Sequence, residues 1–235
     1  MSDAPPVSSL PGVSSVTPVV ENVTTQAESH TSLPASLSVD RDIVCGLYVF
    51  AGRRRRCDFD HYLQQLAARV GQQIMVVELD LEIDADHDVT KIEVWLPHKQ
   101  KLASRHYKFL IITPPCNTTS RATYSNPWGA KPTRNVVHPL GFPWLTGALK
   151  AKVETANVLF EITWDACLIA HRVCIPWFIE HPEDLGATWQ GERPASFWQS
   201  PRIIALLGLD NSVVTDAFFL VRRRALFAWQ GLPCR

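Results

Sequence analysis

Cys116 and Glu180 are the residues of this chain whose types and settings best suit covalent chemistry on an unsaturated ring. Cys116 follows Thr113-Pro114-Pro115, and two successive prolines stiffen the turn that carries the thiol. A thiolate is intrinsically nucleophilic once it is accessible. Glu180 ends an apolar run and is followed by His181-Pro182. A carboxyl group in a half-buried cleft is held neutral and acts as a general acid. Thiolate addition to carbon 6 of a cytosine ring, with protonation at ring nitrogen 3, needs this pair. Carbon 5 then becomes nucleophilic toward a methyl donor. Each residue also has a plainer reading, Cys116 as a buried apolar side chain and Glu180 as a cap on the next loop.

Other residues suit ligand contacts. Gly52 follows an apolar run and precedes a helical pattern, where a glycine lets backbone approach an anion at a helix N-terminus. Glu78 or Asp80 stands where doubly wound folds place a carboxylate on a ribose diol. Asp84, Asp86, His87 and Asp88 cluster, but their spacing fits no EF-hand loop, and no metal is expected. Arg53–Arg56 leaves three readings open: phosphate contact, a localisation signal or a solvated loop. Trp128 and Trp144 either stack on a base or pin their loop to the core.

These residues are positioned by a regular alternation of elements. Strands are expected over residues 43–50, 73–79, 107–113 and 173–179, with one or two more near 212–219. Helices are expected over 58–70, with Asp58 as its cap, and over 92–102, 145–172 and 201–207. Residues 116–144 contain Pro127, Pro132, Pro139 and Pro143 and read as a long irregular loop. The alternation predicts an α/β fold: a Rossmann-like, doubly wound, mostly parallel sheet with helices on both faces. Ligands in such sheets bind beyond the carboxyl ends of the strands. Those ends read Phe50-Ala51-Gly52, Glu78-Leu79-Asp80, Thr113-Pro114-Pro115-Cys116 and Glu180-His181-Pro182.

Composition sets the outer bounds. The 235 residues are 46% hydrophobic and 20% charged, enough for one sizeable core. Lys and Arg number 23, as do Asp and Glu, so a strongly basic nucleic-acid coat is excluded while a local basic groove is not. Residues 1–39 hold Asp3, Glu21 and Glu28, no Lys, no Arg and no aromatic side chain, and read as a disordered Ser/Thr/Pro-rich tail. An α/β domain is expected over 40–220 and an irregular C-terminal extension over 221–235. The six cysteines show no CxxC spacing, which argues against a zinc ribbon and for a reducing compartment. No membrane span and no secretory signal are expected, which points to an intracellular protein of the nucleus or cytoplasm, not a secreted one.

The order Phe50-Ala51-Gly52, Glu78-Leu79-Asp80, Pro115-Cys116 and Glu180-His181-Pro182 resembles the cytosine-5 DNA methyltransferases. Pro114-Pro115-Cys116-Asn117-Thr118-Thr119-Ser120-Arg121-Ala122 is similar to the catalytic loop of a methyltransferase-like group of phages and mobile elements. His138-Pro139-Leu140-Gly141 and Glu180-His181-Pro182-Glu183-Asp184 resemble two further motifs of that group, and the likeness spans residues 42–210. The resemblance implies S-adenosylmethionine as cofactor and DNA as partner, with RNA left open. Phe50, Gly52 and Pro114 would border the cofactor. Glu78 or Asp80 would take its ribose hydroxyls, and Asp88 would face its adenine. Cys116 would be the nucleophile and Glu180 the ring-protonating acid. Ser120, Arg121 and His181 would contact the substrate. Ala51-Gly52-Arg53-Arg54-Arg55-Arg56 stands where the family carries a glycine-rich loop, and His181 replaces its Asn. No target-recognition segment follows, so a separate chain would supply it. The other reading is a non-catalytic methyltransferase-like module that binds nucleic acid or a protein.

Overall fold

The computed structural model describes residues 43–125, 128–209, 212–218 and 224–230. The tail expected over 1–39 lies outside the described residues.

Strand β1 (Val44–Val49) pairs in parallel with the edge strand β2 (Ile74–Leu79) on one side and with β3 (Phe109–Ile112) on the other. Strand β4 (Trp177–Pro182) extends the parallel sheet beyond β3. Strands β5 (Ser212–Phe218) and β6 (Arg224–Gln230) pair antiparallel to each other, and β6 pairs antiparallel to β4. The order is β2-β1-β3-β4-β6-β5, so the expected mostly parallel α/β sheet is the fold. Residues 224–230, expected in an irregular extension, instead fill a place inside the sheet. Pairing with β4 on one side and β5 on the other satisfies the backbone of Arg224–Gln230.

Helix α1 (Phe59–Arg69) begins at Asp58, whose carboxylate accepts from the backbone N–H of His61 at 3.0 Å. Gly71, at φ 67°, follows its end. Helix α2 (Ile92–Ala103) precedes β3, and a four-residue turn, α3 (Ala122–Ser125), lies in the long loop. Helix α4 (Gly147–Arg172) has 26 residues, and α5 (Pro201–Leu207) starts with proline in its first turn. Strand β4 starts later than the apolar run suggests. Residues 173–175 close α4 instead, with the Ile175 N–H donating to the Ala170 carbonyl at 2.8 Å and Cys174 at φ 56°.

Because β2 and β3 flank β1 on opposite sides, right-handed crossovers place α1 and α2 on opposite faces. Cys45, Leu47, Val49, Leu79, Leu110, Ile112, Trp177 and Ile179 point into the main core with α2, α4 and α5. The alternate residues Tyr48, Glu78, Ile111, Phe178 and Glu180 share the other face. That face is covered by α1 through Phe59, whose ring lies edge-on to Tyr48 at 5.8 Å and stacks with Phe178 at 6.5 Å. Among the described residues, no helix is long and apolar enough to cross a membrane.

Candidate active site at the carboxyl ends of the parallel strands

Chain direction across the sheet reverses between β1 and β3, which opens a crevice beyond their carboxyl ends. A cavity of about 440 Å³ lies there and continues over the α1 side of the sheet. Tyr48, Gly52, Arg54, Glu78, Phe178 and Glu180 are among its lining residues. Its size falls within the roughly 300–1,000 Å³ usual for small-molecule sites.

The loop after β1 has a demanding backbone. Phe50 sits at φ 63° and Gly52 at φ 71°. Phe50 is held there by two bonds: its N–H donates to the Leu79 carbonyl at 2.8 Å, and its carbonyl accepts from Thr113 Oγ1 at 2.6 Å. A non-glycine residue in this region costs on the order of 1–3 kcal/mol and persists only when its surroundings enforce it. The Phe50 ring, expected to border a cofactor, packs against the main core and is not among the residues lining the cavity. The Gly52 N–H donates to Asp80 Oδ2 at 2.9 Å, and Asp80 Oδ1 accepts from the Glu82 N–H at 2.7 Å. Asp80 thereby ties the ends of β1 and β2 together.

Of the two carboxylates considered for a ribose, Glu78 is the one that lines the cavity. Its side chain is only 9% exposed, and burial raises its pKa against the lowering effect of Arg54. Arg54 Nε lies 2.8 Å from Glu78 Oε2, and Arg54 Nη1 lies 2.9 Å from Asp60 Oδ2 and 3.5 Å from Asp58 Oδ2. Arg53 pairs with Glu82 at 2.7 Å on the surface. Arg53, Arg54 and Arg55 all border the cavity, but Arg54 is the one paired to the buried carboxylate in its wall.

Glu180 belongs to β4 itself, one residue beyond the Ile112–Ile179 pair, and faces the cavity. Among the described residues its carboxylate has no hydrogen-bond or ion-pair partner. Burial raises its pKa, which favours the neutral acid. Tyr48 is held above its ordinary value too, first by burial, with Thr113 acting the other way and nearby carboxylates adding to the rise.

The remaining expected site residues are placed elsewhere. Cys116 is a half-buried thiol outside any disulfide, at the start of a turn in which its carbonyl accepts from Thr119 and Ser120, and it does not line this cavity. Pro114 is buried. Asp88 accepts from the Thr90 backbone at 3.1 Å and hydroxyl at 2.6 Å, closing the turn before α2. Ser120 Oγ accepts from the Ala122 N–H, and Arg121 donates to the Leu185 carbonyl at 2.9 Å. His181, expected at the substrate, is 1% exposed on the opposite sheet face, packed against Phe197 and hydrogen-bonded to Thr119 at 3.2 Å. Its neighbour relation to Glu180 cannot bring both side chains to one ligand, because adjacent strand residues face opposite ways. Trp144 stacks on Phe142 at 4.7 Å inside its own loop, whereas Trp128 is 94% exposed.

Tyr48, Phe59, Phe178 and Arg54 were not singled out in the sequence. The signal for Tyr48 and Phe178 is parity, since Tyr48 shares its sheet face with Glu78 and Phe178 with Glu180; Phe59 opens α1 and had only its helical spacing. Arg54 carried none beyond membership of a run.

No family model matches this chain, and no curated protein or solved structure matches it.

Proposed function

We propose that this chain is an S-adenosylmethionine-dependent methyltransferase acting on DNA cytosine, with Cys116 as nucleophile and Glu180 as the acid for the ring. The supporting observation is that Gly52, Glu78 and Glu180, contributed near the ends of three parallel strands, line one cavity at the switch point. Rings of Tyr48, Phe59 and Phe178 beside two carboxylates suit a cationic ligand group such as a sulfonium. When bound, the cofactor supplies an electrophilic methyl group. Glu78 would hold its ribose hydroxyls. The Cys116 sulfur bonds to carbon 6, and the Glu180 proton passes to ring nitrogen 3. Carbon 5 would take the methyl group, with S-adenosylhomocysteine as the leaving group; its proton would then pass to water as the carbon–sulfur bond breaks, releasing the Cys116 thiolate and returning the nitrogen-3 proton to Glu180. For this, the Cys116 turn must close over the Glu180 cavity when substrate binds. DNA is the partner in this reading, with target recognition supplied by another chain in an intracellular compartment.

The test uses the full chain, S-adenosylmethionine and a random-sequence duplex containing 5-fluoro-2′-deoxycytidine. A covalent protein–DNA adduct is expected. Cys116→Ser should abolish it, and Glu180→Gln should slow it while calorimetric cofactor affinity stays unchanged. Adduct formation by the serine variant, or no cofactor binding up to millimolar concentration, would overturn the reading.

A second reading rests on Arg54. Its ion pair occupies the carboxylate that a ribose would need. That favours a non-catalytic relative, for which the same experiment would show a folded chain without cofactor binding.

A further inference from the structure

Arg134 is 2% exposed, in a segment that packs against α4. Among the described residues it has no ion-pair partner. A buried guanidinium without a counter-charge is a rare arrangement, because charged groups leave water only when paired. Nη1 donates to the Pro139 carbonyl and to Asn157 Oδ1, each at 2.9 Å, and Nη2 donates to the Val153 carbonyl at 3.3 Å. The group has five N–H donors. The Nε–H and one Nη2–H therefore remain, and Nε has no partner although it is buried. These two nitrogens form the side-on fork that a carboxylate matches with two parallel bonds.

Arg134 also lines a second cavity, of about 370 Å³, on the opposite side of the sheet from the Glu180 site. Its walls include Val136, Leu140, Phe160 and Phe197, with Ser196 and Ser200 among the polar lining residues. The one acidic lining residue, Glu161, is half exposed and bound to Arg202. Apolar walls with a single buried cation fit an amphipathic acid better than a heavily hydrated phosphate. Burial pushes the Arg134 pKa down to about 10, with no acidic neighbour acting against it, so the group stays charged at neutral pH; the Phe160 ring, 5.6 Å from its guanidinium carbon, is a cation–π neighbour and not a counter-charge.

We propose that this cavity is a binding site for a small organic carboxylate, with Arg134 as its buried counter-charge. The site is independent of the methyltransferase reading, although Thr119 of the Cys116 turn forms part of its wall. An occupant would touch that turn from behind.

The test is titration of the full chain with benzoate and hexanoate, with benzyl alcohol, 1-hexanol and inorganic phosphate as controls. Calorimetry and the Arg134 Nε–H signal in ¹H–¹⁵N spectra, assigned by its loss in Arg134→Lys, are the readouts. Saturable carboxylate binding is expected, at least about tenfold tighter than the alcohols, with a shift of the Arg134 signal. Val136→Trp fills the cavity without removing a partner of Arg134 and should abolish binding. The proposal is overturned if neither acid saturates, if the alcohols bind as tightly, if phosphate binds instead, or if binding leaves the Arg134 signal unmoved.

Discussion

Arg54 Nε sits 2.8 Å from Glu78 Oε2, so a cation from the loop after β1 holds the carboxylate at the end of β2. The same guanidinium reaches Asp60 at 2.9 Å and Asp58 at 3.5 Å. Three acidic residues from the β1–α1 loop, α1 and β2 thus converge on one side chain that also lines the cavity. A ligand that uses Glu78 must displace it.

Arg54→Gln should therefore raise affinity for S-adenosylmethionine, on the order of tenfold or about 1.4 kcal/mol, by removing an occupied, non-binding state. The stability cost should be small. Half the Arg54 side chain is exposed, and solvent screening leaves such pairs worth roughly 1 kcal/mol or less each. Calorimetry on both proteins checks the first expectation and urea unfolding the second. Unchanged or weaker binding would remove Arg54 as a competitor.

Glu180 gives a prediction in pH. Burial raises its folded pKa above the unfolded value, near about 4.3. The folded chain holds this proton where the unfolded chain has lost it. Stability is thus favoured at low pH and falls as pH rises from the unfolded value through the folded one. Glu180→Gln cannot ionise. Relative to the parent, it should be more stable at pH 7 and lose that advantage near pH 4. Urea midpoints at the two pH values give the answer, and an equal difference at both would contradict the burial argument.

The sheet was legible because its parallel strands lie in short apolar runs, closed by glycine after β1, by charge after β2 and by proline after β3, and its helices carry apolar residues three and four apart. Glu78 and Glu180 were legible as strand-end carboxylates. Their shared face was not read, because it depends on register: Tyr48 opposite Glu78 and Ile111 opposite Phe178. The start of β4 was missed because 173–175 are apolar yet spend their backbone closing α4. Strand β6 is hidden in the sequence because Arg222-Arg223-Arg224 reads as a surface tail, although the apolar run Ala225–Trp229 follows it. Arg134 carried no sequence sign of burial. It is one of two arginines in a proline-rich loop, and its partners are two carbonyls and an amide oxygen set by tertiary packing.

His181 has the opposite pH sign to its neighbour. Burial pushes its pKa down to about 3, against about 6.5 in an unfolded chain. Between those values the unfolded state takes up the proton and the folded state does not. Its contribution is complete above about pH 6.5 and is lost as pH falls, by up to about 1.4 kcal/mol per pH unit. His98, also lowered chiefly by burial, adds in the same direction. His181→Phe should flatten the decline between pH 6.5 and 4. At pH 7 it should cost about 1–3 kcal/mol, because Thr119 loses its buried partner. Unfolding midpoints across that range measure both, and an unaltered slope would place the acid sensitivity elsewhere.

Gly46 tests how the α1 face of the sheet is packed. It is buried in β1, and a Cβ built on it would lie 1.9 Å from Phe109 Cζ and 2.2 Å from Cε2. The Phe109 ring therefore lies flat over the glycine, on the face that carries Tyr48 and Ile111. Gly46→Ala should gain a few tenths of a kcal/mol from the stiffer unfolded chain. It must also push the ring aside, at a cost of about 1–3 kcal/mol. The steric effect is larger, so the variant should be less stable. Phe109→Leu removes the flat ring, and adding Gly46→Ala to it should then cost much less. A double-mutant cycle by urea unfolding reads this coupling. Additive effects would mean that the ring moves freely and that the face beneath α1 is loosely packed, which would also weaken the case for a preformed cavity beside it.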